Sequence, residues 1–124
     1  MPAREELPDA PSVDPEEVAR FDRMAEDWWN PRGPMRALHD FNPTRVDYLC
    51  RLLARPRARQ RANDQGLAGA PAGRPLTGLA ILDIGCGAGL LSETLARLGA
   101  DMTAIDPAPV NIDVARRHAE KSGL

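Results

Sequence analysis

The chain has 124 residues, 43% of them hydrophobic and 27% charged, with a formal net charge of −2, which suits one small globular domain. No apolar run approaches the roughly 20 residues of a membrane-spanning helix. The acidic, Pro-containing start has neither the order of a secretory signal nor that of an organelle presequence. Two cysteines, Cys50 and Cys86, make neither a disulfide framework nor a metal set. An integral membrane protein, a disulfide-rich secreted domain and a zinc module are therefore not expected, and a reducing cytoplasm is.

In chain order, residues 1–13 carry three prolines and no periodicity, which predicts a disordered tail. Asp14-Pro15-Glu16-Glu17 predicts a helix start, with a side-chain cap, a Pro in the first turn and two carboxylates at the positive helix end. Val18, Phe21, Ala25 and Trp28 then form one apolar stripe. Trp29 through Pro34 ends it. A second start is predicted at Asn42-Pro43, with Val46, Leu49, Cys50 and Leu53 as its apolar face. Together, 14–53 predict a helical cap. Residues 54–78 are rich in Arg, Gly, Pro and Ala and predict a linker.

From Leu79 the pattern changes. Leu79–Ile84 is a short apolar run that fits a buried parallel strand. Glycines 85, 87 and 89 follow, then a helix marked by Leu90, Leu91, Thr94, Leu95 and Leu98 and closed by Gly99. Met102–Asp106 predicts a second strand, and Val110–Lys121 a further helix. Strand, helix, strand, helix over 79–124 is the opening of a doubly wound sheet. The predicted class is therefore α/β: N-terminal helices plus an incomplete Rossmann-like sheet made of its first two βα units.

The cluster with chemical content is Asp83-x-Gly85-x-Gly87-x-Gly89 at a strand-to-helix turn, with Asp106 at the end of the next strand. Glycines let the turn fold tightly and let a ligand lie against the backbone. Ligands of open parallel sheets bind beyond the carboxyl ends of the strands. An acid on the second strand is placed to accept from ribose hydroxyls, although read alone Asp106 also suits a cap for the following helix. The dinucleotide pattern requires a third glycine where Leu90 stands. A carboxylate so close to the turn repels a pyrophosphate and attracts an ammonium. The residues thus favour an adenosyl ligand with an amino-acid tail, such as S-adenosylmethionine, over a dinucleotide.

The run I-L-D-I-G-C-G-A-G-L-L, followed by G-A-D-M-T-A-I-D, resembles the first two motifs of class I S-adenosylmethionine-dependent methyltransferases. Upstream, F-D-R-M-A-E-D-W-W-N and G-P-M-R-A-L-H-D-F-N-P-T-R-V-D-Y-L resemble the ubiquinone-biosynthesis O-methyltransferases, so that 12–53 and 79–124 carry the likeness. The resemblance implies a Rossmann-like fold, S-adenosylmethionine as cofactor, and methylation of a hydroxyl of a polyprenyl phenol or demethylubiquinol. It places the cofactor contacts on Arg45, Gly85 and Asp106. Arg45 would pair with the cofactor carboxylate and Asp106 with the ribose, while Asp83 faces the methionine end and Gly87 and Gly89 shape the turn. The N-terminal helices would form a lid. The family needs more strands than this sequence holds, so the chain is expected to be an N-terminal portion that carries only the cofactor-binding half. No catalytic base and no metal ligand are assigned within it.

The implied partners are a small-molecule polyprenyl phenol and, within the resemblance, other enzymes of ubiquinone biosynthesis and a peripheral contact at the inner membrane face. The arginine run at 51–61 lacks interleaved aromatics, so nucleic acid is not expected. Alternatives are another acceptor on the same fold, a non-catalytic nucleoside-binding domain and, more weakly, an NAD-dependent oxidoreductase. Trp28 and Trp29 read as packing anchors of which only one can lie on the stripe. His39 reads as structural and His118 as solvated. Cys86 matters for its backbone rather than its thiol.

Overall fold

The computed structural model describes residues 12–64 and 72–124, with the backbone alone for 55–64. Most of the expected tail, 1–11, and part of the expected linker, 65–71, lie outside the described residues. Helix α1 (Pro15–Met24) starts where the sequence predicts: Asp14 Oδ1 accepts the Glu16 amide at 2.9 Å, and Pro15 occupies the first turn. A short 3₁₀ turn, Ala25–Asp27, continues it. Its apolar stripe ends on Ala25 and Trp28, which are buried against Ala88, Leu90 and Val114, with Phe21, Trp29, Met35, Leu38 and Val110 packed around them.

Helix α2 (Arg36–Asp64) corrects the sequence reading at both ends. It begins before Asn42-Pro43 rather than at that pair. Pro43 forfeits one backbone hydrogen bond in the helix interior, but its φ suits a helix, and packing holds both flanks. Leu38 lies on the Trp28 cluster, while Leu49, Cys50 and Leu53 lie on a second core around Leu76, Leu95 and Ala100. Asn42 is accordingly a buried interior residue, not a cap: its Nδ2 donates to Thr94 Oγ1 at 3.2 Å. The helix also runs through 54–64, where a linker was expected. Ala, Arg and Gln there are good helix formers, and composition alone understated them.

Strands β1 (Ala80–Ile84) and β2 (Asp101–Ile105) pair in parallel from Ala80↔Asp101 to Ile84↔Ile105. Helix α3 (Leu90–Arg97) makes the crossover, and α4 (Pro109–Lys121) follows β2, which gives the expected βαβα order. One sheet face, with Ile81 and Met102, packs on the second core. The other is open: Leu82, Ile84 and Ile105 are exposed, Ile84 to 74%. An uninterrupted apolar run predicts cover on both faces; the described residues cover one.

The two cores meet at the β1–α3 turn. Gly87 sits at φ +57°, and a Cβ there would lie 2.2 Å from Trp28 Cζ2. Gly85 sits at φ +79° with nothing within 4 Å of the same point. Gly85→Ala is therefore expected to cost only the left-handed backbone penalty, about 1–2 kcal/mol. Gly87→Ala should cost at least about twice that, because the indole must also move. Urea denaturation of the two variants side by side checks the difference.

Candidate functional site

The parallel register brings the carboxyl ends of β1 and β2 together, and with them Asp83, the glycine turn and Asp106. The Ile105 carbonyl accepts from the Gly85 and Cys86 amides at 2.8 and 3.0 Å. The Asp106 carboxylate then closes the corner. Its Oδ2 accepts the Gly87 amide at 2.8 Å, and its Oδ1 accepts the Ala108 amide at 2.9 Å and Asn111 Nδ2 at 3.2 Å. A carboxylate offers about four lone-pair sites, so Asp106 retains one for a ligand. The cap reading is corrected: Ala108 stands at the N-cap of α4 with no side-chain cap, while Asp106 holds the backbone just before it and stays half-open at the strand edge.

Asp83 accepts Ser92 Oγ at 2.6 Å through Oδ2, so α3 orients it. Gly85 lies between the two acids with open space over its α-carbon. Cys86 is buried, and its Sγ donates to the Gly87 carbonyl at 3.3 Å. Burial, then the charges of Asp106 and Asp83, push its thiol up to about 11. It stays protonated at neutral pH and is no nucleophile.

Arg45 is apart from that corner. It projects from α2, and its Nη2 donates to Asn42 Oδ1 at 2.7 Å. Asn42 in turn donates to Thr94 Oγ1, which donates to the Leu90 carbonyl at 2.8 Å. Arg45 is thereby tied to the first turns of α3, and no hydrogen bond joins it to Asp83 or Asp106 among the described residues. Its Nε is buried without a hydrogen-bond partner there. A guanidinium with an unspent buried donor suits an anionic group.

Several residues at the site carry no local sequence signal. Trp28 is the packing anchor that the stripe predicts. Trp29, off the stripe, donates Nε1–H to the Ala88 carbonyl at 2.9 Å and stacks on His118 with centroids 3.5 Å apart and planes 2° from parallel. The expectation of a solvated His118 is therefore corrected: it is half-buried, and its Nδ1 donates to Glu93 Oε2 at 2.6 Å. Glu93 Oε1 accepts from Arg97 Nη2 at 2.6 Å and from Ser122 Oγ at 2.9 Å. Apart from Arg97 with Glu93, these contacts join residues 25 to 89 positions apart, which meet only after folding. His39 is structural, as expected, with Nε2 donating to the Trp28 carbonyl at 2.8 Å. Among the described residues, no group of three or more His, Cys, Asp or Glu is placed to hold a metal ion. Nor is any described helix long and apolar enough to cross a membrane.

A methyltransferase-domain family model matches residues 81–124, the span that holds both acids and the glycine turn. The chain is 65% identical to the ubiquinone biosynthesis O-methyltransferase of Methylocella silvestris over 114 residues, 91% of this chain and 43% of that protein. The chain is a homologue of the ubiquinone biosynthesis O-methyltransferases. Proteins of that name from a Methylobacterium species and from Cereibacter sphaeroides are each 51% identical to it. The matches cover 94% and 91% of this chain, and 43% and 42% of the respective relatives. The chain thus spans less than half the length of these curated relatives. A methyltransferase domain works with a methyl-donor cofactor, and the two βα units here carry its glycine turn.

The Glu93 cluster gives a pH prediction. Burial alone would raise the Glu93 pKa, but hydrogen bonds from His118, Arg97 and Ser122 outweigh burial and hold it below its ordinary value. A carboxyl depressed in the folded state contributes stability that is complete above its unfolded pKa of about 4.3 and lost as pH falls through the folded value. Stability should therefore drop on the acid side of about pH 4.3. Glu93→Gln should cost about 1–3 kcal/mol at pH 7 and should make the acid limb shallower. Urea midpoints measured from pH 7 downward check both.

Proposed function

We propose that this chain binds S-adenosylmethionine at the β1–α3 turn and supplies the methyl-donor side of an O-methyl transfer to a hydroxyl of a polyprenyl phenol. The observation that carries the reading is the corner itself: two carboxylates flank a left-handed glycine with open space above it, at the carboxyl edge of a parallel pair. Asp83 suits the ammonium of an amino-acid tail. The remaining lone pair of Asp106 suits a ribose hydroxyl. The unspent Nε–H of Arg45 suits the cofactor carboxylate. Leu90, where a dinucleotide site needs its third glycine, is buried in the Trp28 cluster, which argues against a pyrophosphate at this helix start.

When bound, S-adenosylmethionine would supply a sulfonium methyl group whose carbon a nucleophilic oxygen can attack, the S–CH3 bond breaking and S-adenosylhomocysteine leaving. What this chain contributes is orientation. The turn and its acids hold the donor in place, and most of the acceleration of such a transfer comes from positioning donor and acceptor. The acceptor class rests on the names of the relatives, and its pocket is not assigned to any residue of this chain.

The test is equilibrium binding of S-adenosylhomocysteine, with NAD as competitor. We expect S-adenosylhomocysteine to bind and NAD not to displace it. Asp106→Ala should weaken binding by about tenfold or more, the value of one to two hydrogen bonds, and Arg45→Ala should weaken it in the same direction. Preferential binding of NAD, or full affinity in Asp106→Ala, would overturn the assignment.

A further inference from the structure

We infer that Trp29 is a positioning residue for the cofactor turn, acting through Ala88 and Gly87 on the Asp106 carboxylate. The inference rests on the reading of that turn as a cofactor site. Ala88 lies between Gly87 at φ +57° and Gly89 at φ +91°. A peptide flanked by two left-handed glycines has little intrinsic preference for where its carbonyl points. Here an outside donor decides. The donor comes neither from the sheet nor from α3, but from the segment after α1: Trp29 Nε1–H takes the Ala88 carbonyl at 2.9 Å.

The indole is itself held on its other side. It lies flat on His118, His118 donates to Glu93, and the Glu93 amide returns to the Gly89 carbonyl at 2.8 Å. These contacts close a ring that secures two consecutive carbonyls of the turn, those of Ala88 and Gly89. The adjoining residue, Gly87, gives its amide to Asp106 Oδ2. Turning the Ala88 carbonyl displaces Gly87 and so releases or tilts the acid that is to receive the ribose. Trp28, packed where a Gly87 Cβ would be, limits how far the turn can drift. Two adjacent tryptophans thus act differently: Trp28 fills space, and Trp29 sets a backbone orientation.

The test uses the intact chain and Trp29→Phe, which keeps a ring to stack and loses the N–H. In the ligand-free protein the Gly87 amide resonance should shift, because its bond to Asp106 changes. S-adenosylhomocysteine binding should weaken about tenfold in the wild-type background, and by less than about twofold when added to Asp106→Ala. His118→Gln, which removes the stack and keeps the indole N–H, should move the Gly87 resonance as well; it carries the test if Trp29→Phe does not fold. An unmoved Gly87 amide, or a loss of affinity that is fully additive with Asp106→Ala, would overturn the positioning role. Unchanged affinity in Asp106→Ala alone would instead sink the cofactor reading, and the Gly87 resonance would then decide the role of Trp29 by itself.

Discussion

The hydrogen bond between the Gly87 amide and Asp106 Oδ2 joins the end of β2 to the turn that follows β1. Everything at the strand edge depends on it. The parallel register sets the two strand ends side by side, and this bond fixes the second acid itself on the turn. The Ile105 carbonyl reinforces it by accepting from Gly85 and Cys86. A backbone donor bonded to an ionised carboxylate is among the stronger protein hydrogen bonds. It is placed where the glycines leave the chain least able to hold its own shape. Asp106 is thus a structural acceptor that remains half-open at the strand edge.

The N-terminal segment matters for the same reason. A two-stranded sheet with one covered face is a weak scaffold by itself. The helices before it supply much of what stiffens the turn: Trp28 against Gly87, Trp29 on Ala88 and Leu38 beneath them. Ion pairs at the surface, such as Arg36 with Asp40 or Arg51 with Asp47, contribute little in water. The buried Glu93 is different. It gathers His118, Arg97 and Ser122 around one carboxylate and so locks α3 to the end of α4. Removing any one donor leaves part of a buried charge unpaired.

Homology and geometry point the same way and cover different ground. The relatives bear the name ubiquinone biosynthesis O-methyltransferase, and the chain spans less than half of each. The structure shows a corner with open space above Gly85 and acids on either side. It also shows Arg45 anchored to α3 through Asn42 with an unspent buried N–H, a state that the motif around it could not reveal.

Local chemistry made much of this legible from sequence. Asp14-Pro15 marked the start of α1 because capping and the missing proline N–H act within one turn. The apolar runs and glycines marked β1, the turn and β2 because their signals span a few residues. Asp83, Gly85, Gly87 and Asp106 were readable together because the βαβ order dictates which strand ends meet. Where the signal was ambiguous the reading failed: Asn42-Pro43 looks like a helix start, and the Arg-rich stretch after it looks like a linker. Tertiary packing overrode the first, burying Asn42 against Thr94, and the helix propensity of Ala, Arg and Gln carries α2 through to Asp64. Only the tertiary structure could pair Trp29 with Ala88 and His118 with Glu93. Those contacts join residues far apart in the chain and depend on the angle at which α1 and α4 meet the turn. The sequence by itself determined which backbone segments meet at the candidate site. The folded packing decided which side chains hold it in shape, because an orientation set by a distant donor leaves no local pattern to read.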